Sequence, residues 1–201
     1  MDKAHDDDTL RFYADTAETY VSSGKGGVSR HLEDFVAALP PGAKVLELGC
    51  GGGRDARAMI AAGHDVDATD GTPEIAAKAE ALIGRPVRVL RFEDLDATAA
   101  YDAVWANASL LHVPRAALPG VLARVHAALR PGGLHMASFK GGGAEGRDRH
   151  GRYFNYLSAD EILTAYRQSG AWEVEWLREH VGGGYDPGVL GPWIAVLLRR
   201  V

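Results

Sequence analysis

The spacing of apolar residues changes twice along this chain. Leu10, Tyr13, Ala17, Tyr20 and Val21 recur at helical intervals after Thr9. Val28, Leu32, Phe35, Val36 and Leu39 do so again before Pro40-Pro41-Gly42, so two amphipathic helices are predicted first. From Pro41 onward short β-rich runs alternate with helical ones. Strands are predicted at 44–48, 65–70, 87–92, 103–107 and 134–139. Between them lie a helix at 55–62 closed by Gly63, one from Thr72 and Pro73 to Gly84, and one carrying Leu118, Val121, Leu122, Val125 and Leu129. The turn Arg130-Pro131-Gly132-Gly133 precedes the fifth strand. Ser158 and Glu161 form a capping box for a last helix ending near Gly170, and a sixth strand follows at 172–178.

Regular β/α alternation predicts a parallel sheet with helices on both faces. The connection 181–192 breaks the rule, holding five glycines, two prolines and no helical period. A parallel return needs a helix-length crossover, so the strand at 193–199 is predicted to pair antiparallel with the sixth. The predicted fold class is α/β: a doubly wound, seven-stranded, mostly parallel sheet ending in an antiparallel β-hairpin.

A chain of 201 residues fits one domain, and a net charge of −5 argues against a protein built to grip a phosphate backbone. The lone cysteine, Cys50, and the absence of His-x-x-x-His spacing predict no disulfide and no metal site. The opening Met-Asp-Lys-Ala-His-Asp-Asp-Asp is no secretory leader, and the apolar run at 193–198 is far short of the roughly 20 residues of a membrane span. A cytoplasmic protein without nucleic-acid or membrane partners is therefore expected. Glycine is unusual at 25 residues, about 12% against about 7% in ordinary proteins.

The glycines concentrate where chemistry is expected. The first strand runs into Gly49-Cys50-Gly51-Gly52-Gly53, at the ligand-binding end of a βαβ unit, where a missing Cβ lets a backbone approach a cofactor. A dinucleotide fingerprint would place a small residue where Arg54 stands, which weakens a pyrophosphate reading. Asp70 closes the second strand, where an acid suits ribose hydroxyls. Phe92-Glu93-Asp94-Leu95 ends the third, where a carboxylate can accept from an adenine amino group.

In that motif order the chain resembles the class I S-adenosylmethionine-dependent methyltransferases. Glu47-Leu48-Gly49-Cys50-Gly51-Gly52-Gly53 looks like the family's first motif, Tyr101-Asp102-Ala103-Val104-Trp105 and Asn107 to His112 like the fourth, and Leu129-Arg130-Pro131-Gly132-Gly133 like the turn before the fifth strand. Within the family it is most similar to the compact tellurite-resistance and thiopurine-like groups. The resemblance implies a Rossmann-like single domain over 1–201, with residues 1–40 covering the cofactor and 41–201 forming the core. It implies S-adenosylmethionine held by Tyr20, Glu47, Gly49, Cys50, Gly51, Asp70, Gly71, Glu93, Asp94, Leu95 and Asn107, and methyl transfer to a small molecule with His112 as candidate general base. Asn107-Ala108-Ser109 departs from the acid-Pro-Pro-aromatic motif of nucleic-acid enzymes and from the metal-binding Asp of catechol-type enzymes. Residues 140–156, with Arg147, Arg149, His150 and Arg152, are expected to form a lid favouring an anionic acceptor. Two other readings stand beside this one: a catalytically silent adenosine-binding sensor, and an NAD-dependent dehydrogenase, though no tyrosine has Lys four residues on.

Overall fold

A computed structural model describes residues 3–23 and 27–201. Met1 and Asp2 of the expected non-leader opening, and residues 24–26, lie outside the described residues. Helices α1 (Asp7–Ser23) and α2 (Leu32–Ala37) precede β1 (Lys44–Leu48), α3 (Arg54–Ala61), β2 (Asp65–Asp70), α4 (Pro73–Ile83) and β3 (Arg88–Val89). Then follow β4 (Tyr101–Ala106), α5 (Leu118–Ala128), β5 (Leu129–Lys140), the two-residue strands β6 (Gly146–Arg147) and β7 (Tyr153–Phe154), α6 (Ala159–Ser169), β8 (Trp172–Gly183) and β9 (Leu190–Arg200). The main sheet has seven strands in the order β3-β2-β1-β4-β5-β9-β8. Strand β9 is antiparallel to both β5 and β8, so the predicted terminal hairpin is present in an otherwise parallel sheet.

Alternation along the central strands divides the core. Leu46, Leu48, Val104, Ala106, Ala137, Phe139 and Val196 point to one face and bury α5 and α6 through Val121, Leu122, Val125, Ile162 and Tyr166. Val45, Ala103, Trp105, Met136 and Ala195 point to the other and meet Leu32 and Phe35 of α2 and Met59 of α3. The Phe35 and Trp105 rings lie 4.8 Å apart, and both side chains are fully buried. Large side chains sealed this way each contribute about 1.5–3 kcal/mol. Helix α4 packs its alanines Ala76 and Ala79 near Cys50 and Ala68, on a third patch beside the glycine loop.

Several element boundaries differ from expectation for identifiable reasons. Helix α2 starts only at Leu32, because Ser29 is tied by its N–H and hydroxyl to the Asp55 carboxylate, which holds the preceding chain out of helix. Strand β3 shrinks to two residues because it is an edge with one neighbour, and the chain then turns over Phe92–Asp94. The expected turn at 130–133 is a bulge inside β5, with Gly132 at φ +79° and a register shift opposite Tyr101 and Ala103. The hairpin strands run on to Gly183 and Leu190, so the glycine-rich connection is mostly ladder. Thr72 precedes α4 without a side-chain cap, its N–H donating instead to Asp70. The Ser158 capping box and the left-handed Gly84 stop are present as predicted. Among the described residues no helix is long and apolar enough to cross a membrane.

Candidate active site

The sheet order reverses between β1 and β4, and two cavities open where their carboxyl ends diverge. The narrower is lined by Gly49, Gly51, Asp70, Gly71, Ile75, Leu90 and Phe92 from the strand ends, roofed by Thr9, Leu10, Tyr13 and Tyr20 of α1. This is where ligands bind in open parallel sheets. Gly49 has φ +75°, and a Cβ there would stand 2.5 Å from the Ser109 Cβ, so any other residue would push β1 and β4 apart. A Cβ at Gly51 would face the Tyr20 ring at 3.6 Å. The loop is held by the N–H groups of Gly49 and Cys50 donating to the Thr69 carbonyl.

The Asp70 carboxylate accepts from the Gly51 N–H and the Thr72 N–H, each at 3.0 Å. Those donors aim it, while burial pushes its pKa up to about 6. Beneath the loop, burial beside Asp55 and Asp70 pushes the Glu47 carboxyl well above its ordinary range, and its Oε2 has no partner. Burial likewise pushes the Cys50 thiol up, so it packs as a neutral group.

The wider cavity, of about 600 Å³, lies on the other side of Tyr13 and Tyr20. Asn107 and Ser138 line it, and a hydrogen-bonded set fixes them. Asn107 Nδ2 donates to Ser29 Oγ at 2.7 Å, Ser138 Oγ donates to Asn107 Oδ1 at 2.7 Å, and the Ala108 N–H donates to Ser138 Oγ at 2.8 Å. Trp105 Nε1 and Ser29 close the set on Asp55. Ala108 is thereby held at φ 54°, a strained left-handed conformation for a residue with a Cβ.

Tyr13, Tyr20, Ala108 and His112 line both cavities and form their common wall. His112 Nδ1 lies 2.6 Å from the Tyr153 carbonyl, which can only accept, so Nδ1 carries the proton and Nε2 presents its lone pair. The Tyr13 hydroxyl donates to that Nε2 at 2.9 Å and itself accepts from Arg152 Nη1 at 3.2 Å. Burial holds the His112 pKa down at about 4 and raises that of Tyr13, so both are neutral.

Of the residues singled out in the sequence, Tyr20, Gly49, Gly51, Asp70, Gly71 and His112 line the narrower cavity. Glu47 and Cys50 lie beneath or beside its loop, and Leu95 is in the core. Glu93 pairs with the cavity residue His5. Asp94 sits in the turn after β3, and Asn107 faces the wider cavity. The loop arginines divide. Arg147 pairs with Asp6 and Arg149 with Asp186 at the surface, whereas Arg152 is buried, bonded through Nε and Nη2 to Asp148 and stacked near Phe12, Phe154 and Tyr185. His5, Ser29 and Asp55 carry no motif that sequence reading could seize, and the resemblance assigns no role to Ser109, inside the segment that looks like the fourth motif.

Residues 45–133 match the family model described as a methyltransferase domain. The chain is 30% identical over 134 residues to Hemagglutinin 1 of Eikenella corrodens, covering 63% of this chain and 44% of that protein. It is 40% identical over 115 residues to the ubiquinone biosynthesis O-methyltransferase of Xanthomonas campestris, covering 52% and 47%. The chain thus spans about half the length of the curated relatives it matches. A crystal structure of the Burkholderia thailandensis 1,6-didemethyltoxoflavin-N1-methyltransferase, with bound 1,6-didemethyltoxoflavin and S-adenosylhomocysteine, shares its fold at a TM-score of 0.75 and 24% identity over 96% of this chain and 86% of that one. The matched segment runs from β1 into the bulge of β5, and the chain as a whole shares the fold of that methyltransferase structure.

Proposed function

We propose that this protein transfers the methyl group of S-adenosylmethionine to a small-molecule acceptor that carries negative charge. The observation that carries the reading is the wall of Tyr13, Tyr20, Ala108 and His112 common to two cavities, one suited to a nucleoside and one to an acceptor. The residues present fit the cofactor. Three glycines leave backbone bare along one side, Asp70 offers an aimed carboxylate for ribose hydroxyls, and Leu10, Ile75, Leu90 and Phe92 suit a flat base. Ser109 Oγ, buried in the same lining, has no hydrogen-bond partner among the described residues. When bound, the cofactor supplies an electrophilic methyl group on a sulfonium.

The protein's part is positioning and exclusion of water. With Nδ1 bonded to the Tyr153 carbonyl and Nε2 accepting from Tyr13, His112 fixes the Tyr13 hydroxyl at the common wall. A pKa near 4 makes His112 a weak base at neutral pH, which suits an acceptor that is already ionised when it binds. The wider cavity favours such a nucleophile. Arg30, Arg54, Lys140 and Arg152 line it, while its one carboxylate among the described residues, Asp186, is held by Arg149 and His150. Anion selection thus falls to this wall and not to Arg147 and Arg149.

Calorimetry with S-adenosylmethionine and S-adenosylhomocysteine tests the cofactor, and mass spectrometry of methylated products over thiol, oxyanion and phenol acceptors tests the transfer. No heat with either ligand alongside a signal with NAD would overturn the reading. Binding with no product across the panel would leave the silent sensor.

A further inference from the structure

Lys140, at the end of β5, differs from the other basic side chains of the cover. Arg147, Arg149 and Arg152 each have a carboxylate, whereas Lys140 has neither a carboxylate partner nor a hydrogen bond among the described residues. Its ammonium stands instead over aromatic faces, 4.3 Å from the Phe154 ring centroid and 5.8 Å from that of Trp193. Such contacts orient a cation without neutralising it. Lys140 is half-buried, and burial with Arg152 nearby lowers its pKa against the opposing pull of Asp148 and Asp186, carboxylates that Arg152 and Arg149 already hold.

The hairpin tip crosses this ammonium as bare backbone. A Cβ on Gly184 would lie 3.2 Å from Lys140 Nζ, and one on Gly182 would lie 3.0 Å from the Trp193 indole. Gly182, Gly183 and Gly184 all line the wider cavity. The lining next to Lys140 therefore combines aromatic faces with backbone that carries no side chains, a surface suited to a thin, flat group.

Resting on the methyl-transfer reading for its role, we propose that Lys140 determines acceptor specificity by pairing with the anionic group of a planar aromatic acid in the wider cavity. The ammonium has no bonded carboxylate to leave among the described residues, so an incoming carboxylate gains a charge-assisted hydrogen bond. The aromatic faces and the glycine wall supply the preference for flatness. The anchored ring then lies beside Tyr13 and His112, which also line the narrower cavity.

The test uses the whole chain and three probes of similar size: benzoate, its neutral counterpart benzamide, and the non-planar cyclohexanecarboxylate. Affinities are read by ligand-observed nuclear magnetic resonance, with and without saturating S-adenosylhomocysteine. Benzoate is expected to bind about tenfold or more tightly than either of the others. In Lys140→Met the preference over benzamide disappears, in Lys140→Arg it is largely kept, and affinity for S-adenosylhomocysteine is unchanged in both. Equal binding of benzoate and benzamide by the parent, or a preference surviving in Lys140→Met, overturns the proposal, and benzoate no tighter than cyclohexanecarboxylate overturns its planar part. Failure of S-adenosylhomocysteine to bind would instead overturn the methyl-transfer reading, whatever the probes do.

Discussion

The two cavities that meet at His112 are built by different means. The narrower one is set largely by backbone at the ends of β1 and β2, where Gly49, Gly51, Asp70 and Gly71 lie within 23 positions of one another. The wider one is assembled from α1, the segment before α2, the end of β5, the β6–β7 loop and the tip of the β8–β9 hairpin, and side chains do the work. A cavity made of backbone, the proposed cofactor site, tolerates little change of residue but needs no distant partner. A cavity made of side chains, the proposed acceptor site, can change specificity by single substitutions, and depends on several segments staying docked.

Arg152 is where that dependence concentrates. Its guanidinium is 3% exposed, bonded to Asp148 and Tyr13 and packed among rings from α1, β7 and the hairpin tip. Arg152→Met strands a partly buried carboxylate and unties three segments, so a loss of about 3 kcal/mol is expected. Chemical denaturation reads the loss. An unchanged midpoint would show that the two halves are equally self-sufficient.

A smaller effect should separate the halves by chemistry. Asp70→Asn removes the aimed carboxylate but keeps its size, and should weaken S-adenosylhomocysteine binding by about 1.5–3 kcal/mol, tenfold to more than a hundredfold, without altering probe binding in the wider cavity. The pH dependence follows from the same group. Its folded pKa is raised to about 6, so the carboxylate is protonated below that value and charged above it. Affinity in the parent should therefore fall about tenfold from pH 7 to pH 5, and stay nearly flat in Asp70→Asn. Calorimetry at the two pH values decides it, and a parent without this slope would place the ribose elsewhere.

The smallest effect sharpens the comparison from the acceptor side. Arg147 and Arg149 are paired at the surface with side chains 45% and 63% exposed. Their joint replacement by Gln should change acceptor affinity less than about twofold, since exposed pairs contribute little. A large rise in the Michaelis constant with cofactor affinity spared would restore these two arginines to the selecting role that their position in a basic loop suggested.

What the chain determined by itself was local. Alternating apolar residues set the faces of β1 and β4, Gly84 stopped α4, and Ser158 with Glu161 started α6. The glycines of 49–53 and the acid Asp70 pointed to the narrower cavity, the proposed cofactor site, because backbone approach and strand-end chemistry need only short spans of sequence. Tertiary structure decided which distant side chains share a space. That Arg152 turns inward to Asp148 while Arg147 and Arg149 turn outward follows from carboxylates at Asp6 and Asp186, well away in sequence. That Asn107 answers to Ser29 and Ser138, and that Lys140 is left without a partner, depends on three-dimensional packing. Pairs such as Arg152 with Asp148 lie close in sequence, but long-range charge pairing is set by proximity after folding, and no periodicity in the chain encodes which distant opposite charge will be near.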